Sequence, residues 1–247
     1  MTTRPAIGNI IPSSNRVAER TVAGIMTLFP LMDSCVSRIT YYGAGIGQPA
    51  DGYAEEAYRL AAWQLGHAGV DVVCWNGSRG ATLGLAADRA LALTMARAAG
   101  CVATTTALAA MAVLEAFGAR RIGMIVPGAA ADAAPAVAGL GRELAGARGL
   151  GLVDNQASAA VPASRIMALA RDIAAGHRPD AILIWSTNLP GLAAVAPLEA
   201  ELGIPVLDAA AIGVWACLAA IGADLAPAAR LGRLFTVGVR PEVIAPG

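Results

Sequence analysis

Only two histidines, His67 and His177, and four cysteines, Cys35, Cys74, Cys101 and Cys217, occur in the chain, and no two cysteines form a CxxC pair. No His/Cys/Asp/Glu group has metal-ligand spacing, so no metal is expected, and the scattered cysteines read as buried free thiols. An excess of one charge is missing too: Lys+Arg 18 balances Asp+Glu 18, and no basic run exceeds Arg120-Arg121. A nucleic-acid binder shows a clustered positive footprint, so no nucleic-acid partner is expected. Although 56% of the residues are hydrophobic, no run approaches the ~20 uninterrupted apolar residues of a membrane span. The excess is largely alanine, broken by Gly, Arg and Asp. The opening MTTRPAIGNIIPSSN lacks a charged leader with a long apolar stretch behind it, so no signal peptide and a cytoplasmic location are expected. GxxxxGK is absent, and GAGIGQ at 43–48 has the wrong spacing for a dinucleotide fingerprint. No nucleotide and no cofactor are expected.

What is present is an alternation of short apolar runs with Ala/Leu-rich helical patterns, which predicts parallel sheets covered by helices. Strands are expected at 7–11, 70–75, 102–104, 122–126, 181–185 and 206–208. Helices are expected at 18–28, 53–67, 83–98, 106–117, 134–145, 162–175, 192–201 and 212–221. An internal echo accompanies this pattern. AIGNIIPSSN resembles RIGMIVPGAA, GVDVVCWNGSRG resembles PDAILIWSTNLPG, and GCVATTTALAAMAVLEAFGA resembles GIPVLDAAAIGVWACLAAIGA, in the same order. Gly8 and Gly123 lie 115 residues apart, Gly77 and Ser186 109, and Gly118 and Gly222 104. Such periods exceed the roughly 20–50 residues of a solenoid, so the alternatives are duplication of a half-domain, which is favoured, and chance likeness of two Ala-rich segments. Ligands of open parallel sheets bind beyond the carboxyl ends of the strands. That rule selects the loops 12–16, 76–80, 127–131 and 186–191 as the walls of one cleft.

Each loop carries a structural and a functional alternative. In PSSN, Ser14 or Asn15 caps a helix, or Asn15 donates its amide N–H to a ligand. NGSRG at 76–80 is a plain strand-to-helix turn, or a turn in which Gly77 and Gly80 admit a ligand while Arg79 grips a carboxylate. Ser186, Thr187 and Asn188 repeat the theme in the second half. A serine nucleophile needs a base, and both histidines are expected at helix C-termini, away from the cleft, so a Ser-His triad is disfavoured. Trp75 and Trp185 close matching strands, as an apolar box or as core. Tyr41 and Tyr42 precede a glycine-containing stretch that is either a lid or an ordinary loop, and Asp208 is a helix cap or a base.

The order of IGxIxPSSN, the GVDVV strand, TTTALAAMAVLEAFGARRIGMIVP and GIPVLDAAAIGVWA resembles the maleate isomerase and arylmalonate decarboxylase branch of the aspartate/glutamate racemase superfamily, from about Ile7 to Gly222. The resemblance implies two similar doubly wound, flavodoxin-like parallel α/β lobes related by a pseudo-twofold axis. It places a first lobe at 1–112, with 219–247 packing back on it, and a second at 113–218. It also implies a cofactor-free site between the lobes for a small carboxylate or carbonyl compound, and a homo-oligomer. Family members use one or two cysteines as acid/base or nucleophile. Those positions match Gly77 and Ser186, and the family's loop tyrosine matches Gly128. The implied catalytic set is then Ser186, Ser78 and Asn15, with Ser14, Gly77, Arg79, Gly80, Gly128, Thr187 and Asn188 binding substrate. An isomerase or lyase working through an oxyanion or enediolate is expected. The alternatives are a small-acid binding protein that has lost catalysis and a hydrolase using bound water or Ser186.

Overall fold

The structure, a computed structural model, describes residues 4–41 and 46–247. The first lobe runs β1 (Ala6–Pro12), α1 (Val17–Met26), β2 (Asp33–Ile39), α2 (Glu55–His67), β3 (Val72–Trp75), α3 (Gly80–Leu83), α4 (Leu85–Ala99), β4 (Val102–Thr105) and α5 (Thr106–Ala116). The second runs β5 (Arg121–Val126), α6 (Ala133–Gly139), β6 (Glu143–Gly149), α7 (Asn155–Ala159), α8 (Ala163–His177), β7 (Ala181–Ile184), α9 (Leu192–Leu202), β8 (Val206–Asp208) and α10 (Ala209–Ala220). Each lobe has a four-stranded parallel sheet, ordered β2-β1-β3-β4 in one and β6-β5-β7-β8 in the other. The same strand order in both halves is the three-dimensional counterpart of the sequence echo.

The central strands are buried along their length, as continuous apolar runs require when helices cover both faces of a sheet. The outer strands depart from the sequence expectation. Nothing at 33–39 or 143–149 has the apolar run of a central strand, yet DSCVSRI and ELAGARG form β2 and β6 at the sheet edges, half-exposed. The helix expected over 134–145 is therefore corrected: α6 ends at Gly139, and Gly141, at φ +61°, turns the chain into β6. Gly84, at φ +97°, likewise separates the short α3 from α4, so the helix expected at 83–98 begins at Leu85.

The lobes interlock through their last helices. Helix α10, AAAIGVWACLAA, follows β8 of the second lobe but packs against β1, β3, α1 and α5 of the first. It is apolar all round because it is buried all round, with Trp215 fully enclosed. Its core is shared with α5 and with Ile122, Met124 and Leu183 of the second sheet. Farther on, the buried Glu199 carboxylate of α9 accepts the backbone N–H groups of Val206 (3.0 Å) and Arg233 (2.8 Å). Ile244 pairs antiparallel with Ala103 at the edge of the first sheet. Among the described residues no helix is long and apolar enough to cross a membrane.

Candidate active site

The carboxyl ends of β1, β3, β5 and β7 meet around a cavity of about 170 Å³. The first lobe contributes Asn15, Tyr41, Trp75, Gly77, Ser78 and Arg79; the second contributes Asn155, Trp185, Ser186, Thr187 and Asn188; Pro12 and Pro127 complete it. An adjoining hollow of about 370 Å³ shares Tyr41, Ser78, Arg79, Pro127 and Trp185 and adds Gly128 and Asp132. Asn15, Ser78 and Ser186 thus face one space, as do Gly77, Arg79, Thr187 and Asn188. Ser14 and Gly80 line neither space. Tyr42 and most of the stretch considered as a lid lie outside the described residues.

Of the two alternatives for Asn15, the structure shows the cap. Its side-chain Oδ1 accepts the N–H groups of Val17 (3.0 Å) and Ala18 (2.9 Å), opening α1. Its Nδ2 donates to Thr187 Oγ1 of the other lobe at 2.8 Å. The amide is buried and fixed from both ends. Ser14 stands one layer back: its hydroxyl lies 3.2 Å from the Tyr41 carbonyl and accepts Asn155 Nδ2 at 2.5 Å.

Asn155 is the cavity residue that the sequence expectations omit. It opens α7, capped by Asp154, whose carboxylate accepts the N–H groups of Gln156 (3.1 Å) and Ala157 (3.3 Å). Asn188 Nδ2 donates to the Asn155 carbonyl at 2.7 Å, tying the two second-lobe loops together. The Asp-Asn pair in VDNQAS is a helix-start signal that would have exposed it.

In the 186–191 loop, Ser186 Oγ accepts the Asn188 N–H at 3.2 Å, and the Leu189 N–H bonds the Ser186 carbonyl at 3.1 Å. The serine oxygen is engaged as an acceptor, which leaves its hydroxyl proton to point elsewhere. Neither histidine lines the cavity; they end α2 and α8, and His67 stacks on Trp63 with ring centroids 3.9 Å apart.

Arg79 donates from Nη2 to the carbonyls of Pro49 and Ala50, the latter at 3.0 Å, and its guanidinium carbon lies 5.9 Å from the Tyr41 ring centroid. Its Nε is buried without a partner among the described residues. The two glycines of the loop are glycine for packing reasons. A Cβ on Gly77 would lie 2.9 Å from Trp75 Nε1 and nearer still to two ring carbons, and a Cβ on Gly80 would overlap the Asp88 carboxylate. Asp88 is fully buried and accepts the hydroxyls of Tyr53 and Thr105; burial raises its pKa, opposed by those two bonds.

Among the described lining residues of the inner cavity Arg79 is the only charged one, and none is Asp, Glu, His or Cys. Asp208 lies at the end of β8, beside β7, whose following loop carries Ser186. It caps α10 through Oδ1, which accepts the Ala211 N–H at 2.8 Å, while Oδ2 has no partner. Burial pushes its carboxyl up to about 7 against the lowering by backbone N–H groups. Among the described residues no group of three His/Cys/Asp/Glu is placed to hold a metal ion.

Two like lobes with a cavity between the carboxyl ends of their parallel strands match the fold of solved maleate isomerases and arylmalonate decarboxylases. The chain belongs to the arylmalonate decarboxylase family, whose model matches residues 45–235. Among solved structures it is similar to arylmalonate decarboxylase, with 26% identity over 94% of this chain and 99% of that one at a TM-score of 0.80. It is also similar to a maleate isomerase variant from Pseudomonas putida S16 with maleate: 22% identity, 95% and 98% coverage, TM-score 0.80. A third similar structure is a cysteine-to-serine variant of the maleate cis-trans isomerase of Nocardia farcinica, holding a covalently bound succinylcysteine intermediate: 22% identity, 94% and 98% coverage, TM-score 0.77. Curated proteins provide no sequence match.

Proposed function

We propose that the chain is a cofactor-independent isomerase or lyase that acts on a small carboxylate or carbonyl compound in the interlobe cavity, without the cysteines of its relatives. The observation that carries this is the convergence of Asn15, Ser78 and Ser186 on one space. Preorganised hydrogen-bond donors aimed at developing negative charge often supply the largest catalytic term, and they require no thiol. Ser78, the Ser186 hydroxyl and the fixed Asn15–Thr187 pair would cradle an oxyanion or enediolate, and Arg79 would anchor an acid group. Ser186 does not inherit a thiolate's chemistry. A thiol titrates near ~8.5, whereas a serine hydroxyl is far less acidic and needs a base beside it, and its oxygen already accepts the Asn188 N–H. A bound water or the Ser186 hydroxyl would move the proton.

Family membership supports an enzyme of this kind. The cavity's lack of a lining carboxylate, imidazole or thiol favours a second reading, a small-acid binding protein that has lost catalysis. Incubation with maleate, arylmalonates and cyclic amides, beside Ser186→Ala, separates them. Turnover that falls in the variant is expected for the enzyme. Saturable binding without product supports the second reading, and neither turnover nor binding refutes both.

A further inference from the structure

Asp88, in the first turn of α4, is wholly buried and lines neither the inner cavity nor the adjoining hollow, so the chemistry proposed above makes no use of it. A carboxylate taken out of water needs donors supplied to it, and both of its donors come from segments that lead elsewhere. Thr105 donates to Oδ2 while its own oxygen accepts the Leu108 N–H at 3.2 Å, opening α5. Tyr53 donates to Oδ1 from the segment before α2, and its ring is seated edge-on against the buried Tyr58, with centroids 5.2 Å apart. The phenol therefore reaches inward to one fixed acceptor.

That segment, 48–54, is also where Arg79 is tied. Gln48 closes its base by donating to the Thr40 carbonyl at 3.0 Å and accepting the Ala54 N–H at 3.0 Å. Pro49 and Ala50 present their carbonyls to Arg79 Nη2. With Nη2 spent there and Nε buried, Nη1 is the guanidinium nitrogen left for a ligand in the two spaces that Arg79 lines. A long side chain gives up rotamer freedom when it grips an acid, and a tether that has already removed that freedom favours binding.

We propose that Asp88 is a positioning residue: by anchoring Tyr53 it fixes segment 48–54, whose carbonyls hold the Arg79 guanidinium ready for the acid group of the bound molecule. The inference rests on Arg79 being the anchor of a small-carboxylate site and deepens it: the anchor is oriented by a buried carboxylate that touches neither the ligand nor the guanidinium.

The test uses the full chain, labelled with 15N-arginine, with maleate and phenylmalonate as calorimetric probes. The Arg79 Nε–H resonance is the one that Arg79→Lys removes. Tyr53→Phe keeps the ring and deletes only the hydroxyl that Asp88 accepts; Asp88→Asn keeps the side chain's size but leaves one acceptor oxygen for two hydroxyls. Either variant should shift the Arg79 resonance, leave in place that of Arg171, whose Nε donates to Glu201 in the second lobe at 2.7 Å, and weaken probe binding about three- to tenfold, the effect of one lost hydrogen bond. In the Arg79→Ala protein, Tyr53→Phe should change the remaining affinity little. An unmoved Arg79 resonance overturns the proposal, as does a shifted one with unchanged affinity, and both leave the carboxylate site standing. An equal loss of affinity in the Arg79→Ala background also overturns it, since Tyr53 would then act without Arg79. Failure of the wild-type protein to bind either probe overturns the carboxylate site and this inference with it. The two variants are read independently, so one that folds poorly leaves the other to decide.

Discussion

Replacing Gly77 by alanine should destabilise the protein through a single ring. Gly77 is not among the positive-φ glycines, so the backbone itself tolerates a Cβ. The obstacle is Trp75. To reach an ordinary contact of 3.4 Å, Nε1 must retreat by about 0.5 Å from its 2.9 Å, and the ring carbons by more. The indole has no room to retreat, since it is 1% exposed and backed by Tyr58. Forcing extra volume into such a site costs about 1–3 kcal/mol, and for a chain of this size each kcal/mol lowers Tm by about 2–4 °C. Thermal and urea unfolding of Gly77→Ala, Trp75→Phe and the double variant form a cycle. Phenylalanine lacks Cζ2, the ring carbon nearest the new Cβ, so alanine should cost less in the Trp75→Phe background, leaving a coupling of about 1–3 kcal/mol. An alanine tolerated in the wild-type background, or equally costly in both, would refute the packing argument.

Two further substitutions probe the frame around the cavity. Asn15→Ala removes a helix cap, worth about 1 kcal/mol, and a cross-lobe hydrogen bond of similar size; urea unfolding should show a loss of about 2 kcal/mol, and a loss under 0.5 would mean that water replaces both bonds. Asp208 is a carboxyl whose pKa is about 7 in the fold and ~3.9 when unfolded, so the stability it contributes is fully present below the unfolded value and is lost as pH rises through the folded one. The full loss is on the order of 4 kcal/mol. Asp208→Asn keeps a capping oxygen for the Ala211 N–H and removes the charge; stability measured between pH 4 and 8 should therefore fall less steeply than in the wild type, and identical slopes would rule out this titration.

The central strands and most helices were legible because burial leaves unbroken apolar runs, as in AILI at β7, and because helix ends carry recognisable caps such as Asp208. The edge strands were not, since DSCVSRI and ELAGARG pair on one side and stay half-exposed, so no apolar run marks them. Missing β6 hid the loop after it and with it Asn155. Within the site, the loops at 12–16, 76–80 and 186–191 followed from the strand-end rule, whereas the inward wedge of Trp75 against Gly77 did not. Which way a strand-end indole leans depends on Tyr58, 17 residues away in sequence, and no local pattern records it.

Capping and the cross-lobe contact are carried by the same side chain. Asn15 opens α1 with one end of its amide and reaches Thr187 with the other. Ser186 closes the turn to Asn188 by accepting its N–H, and the serine lines the cavity. Under the proposed function, a ligand would meet groups already fixed by secondary structure, which is the condition under which hydrogen bonds stabilise developing charge most effectively. A thiol at 186 would give up part of this arrangement, because sulfur is a weak acceptor for the Asn188 N–H. Under the proposed function, the cavity would therefore work through hydrogen-bonding groups held by the turns at 12–16 and 186–191 in place of an ionisable nucleophile.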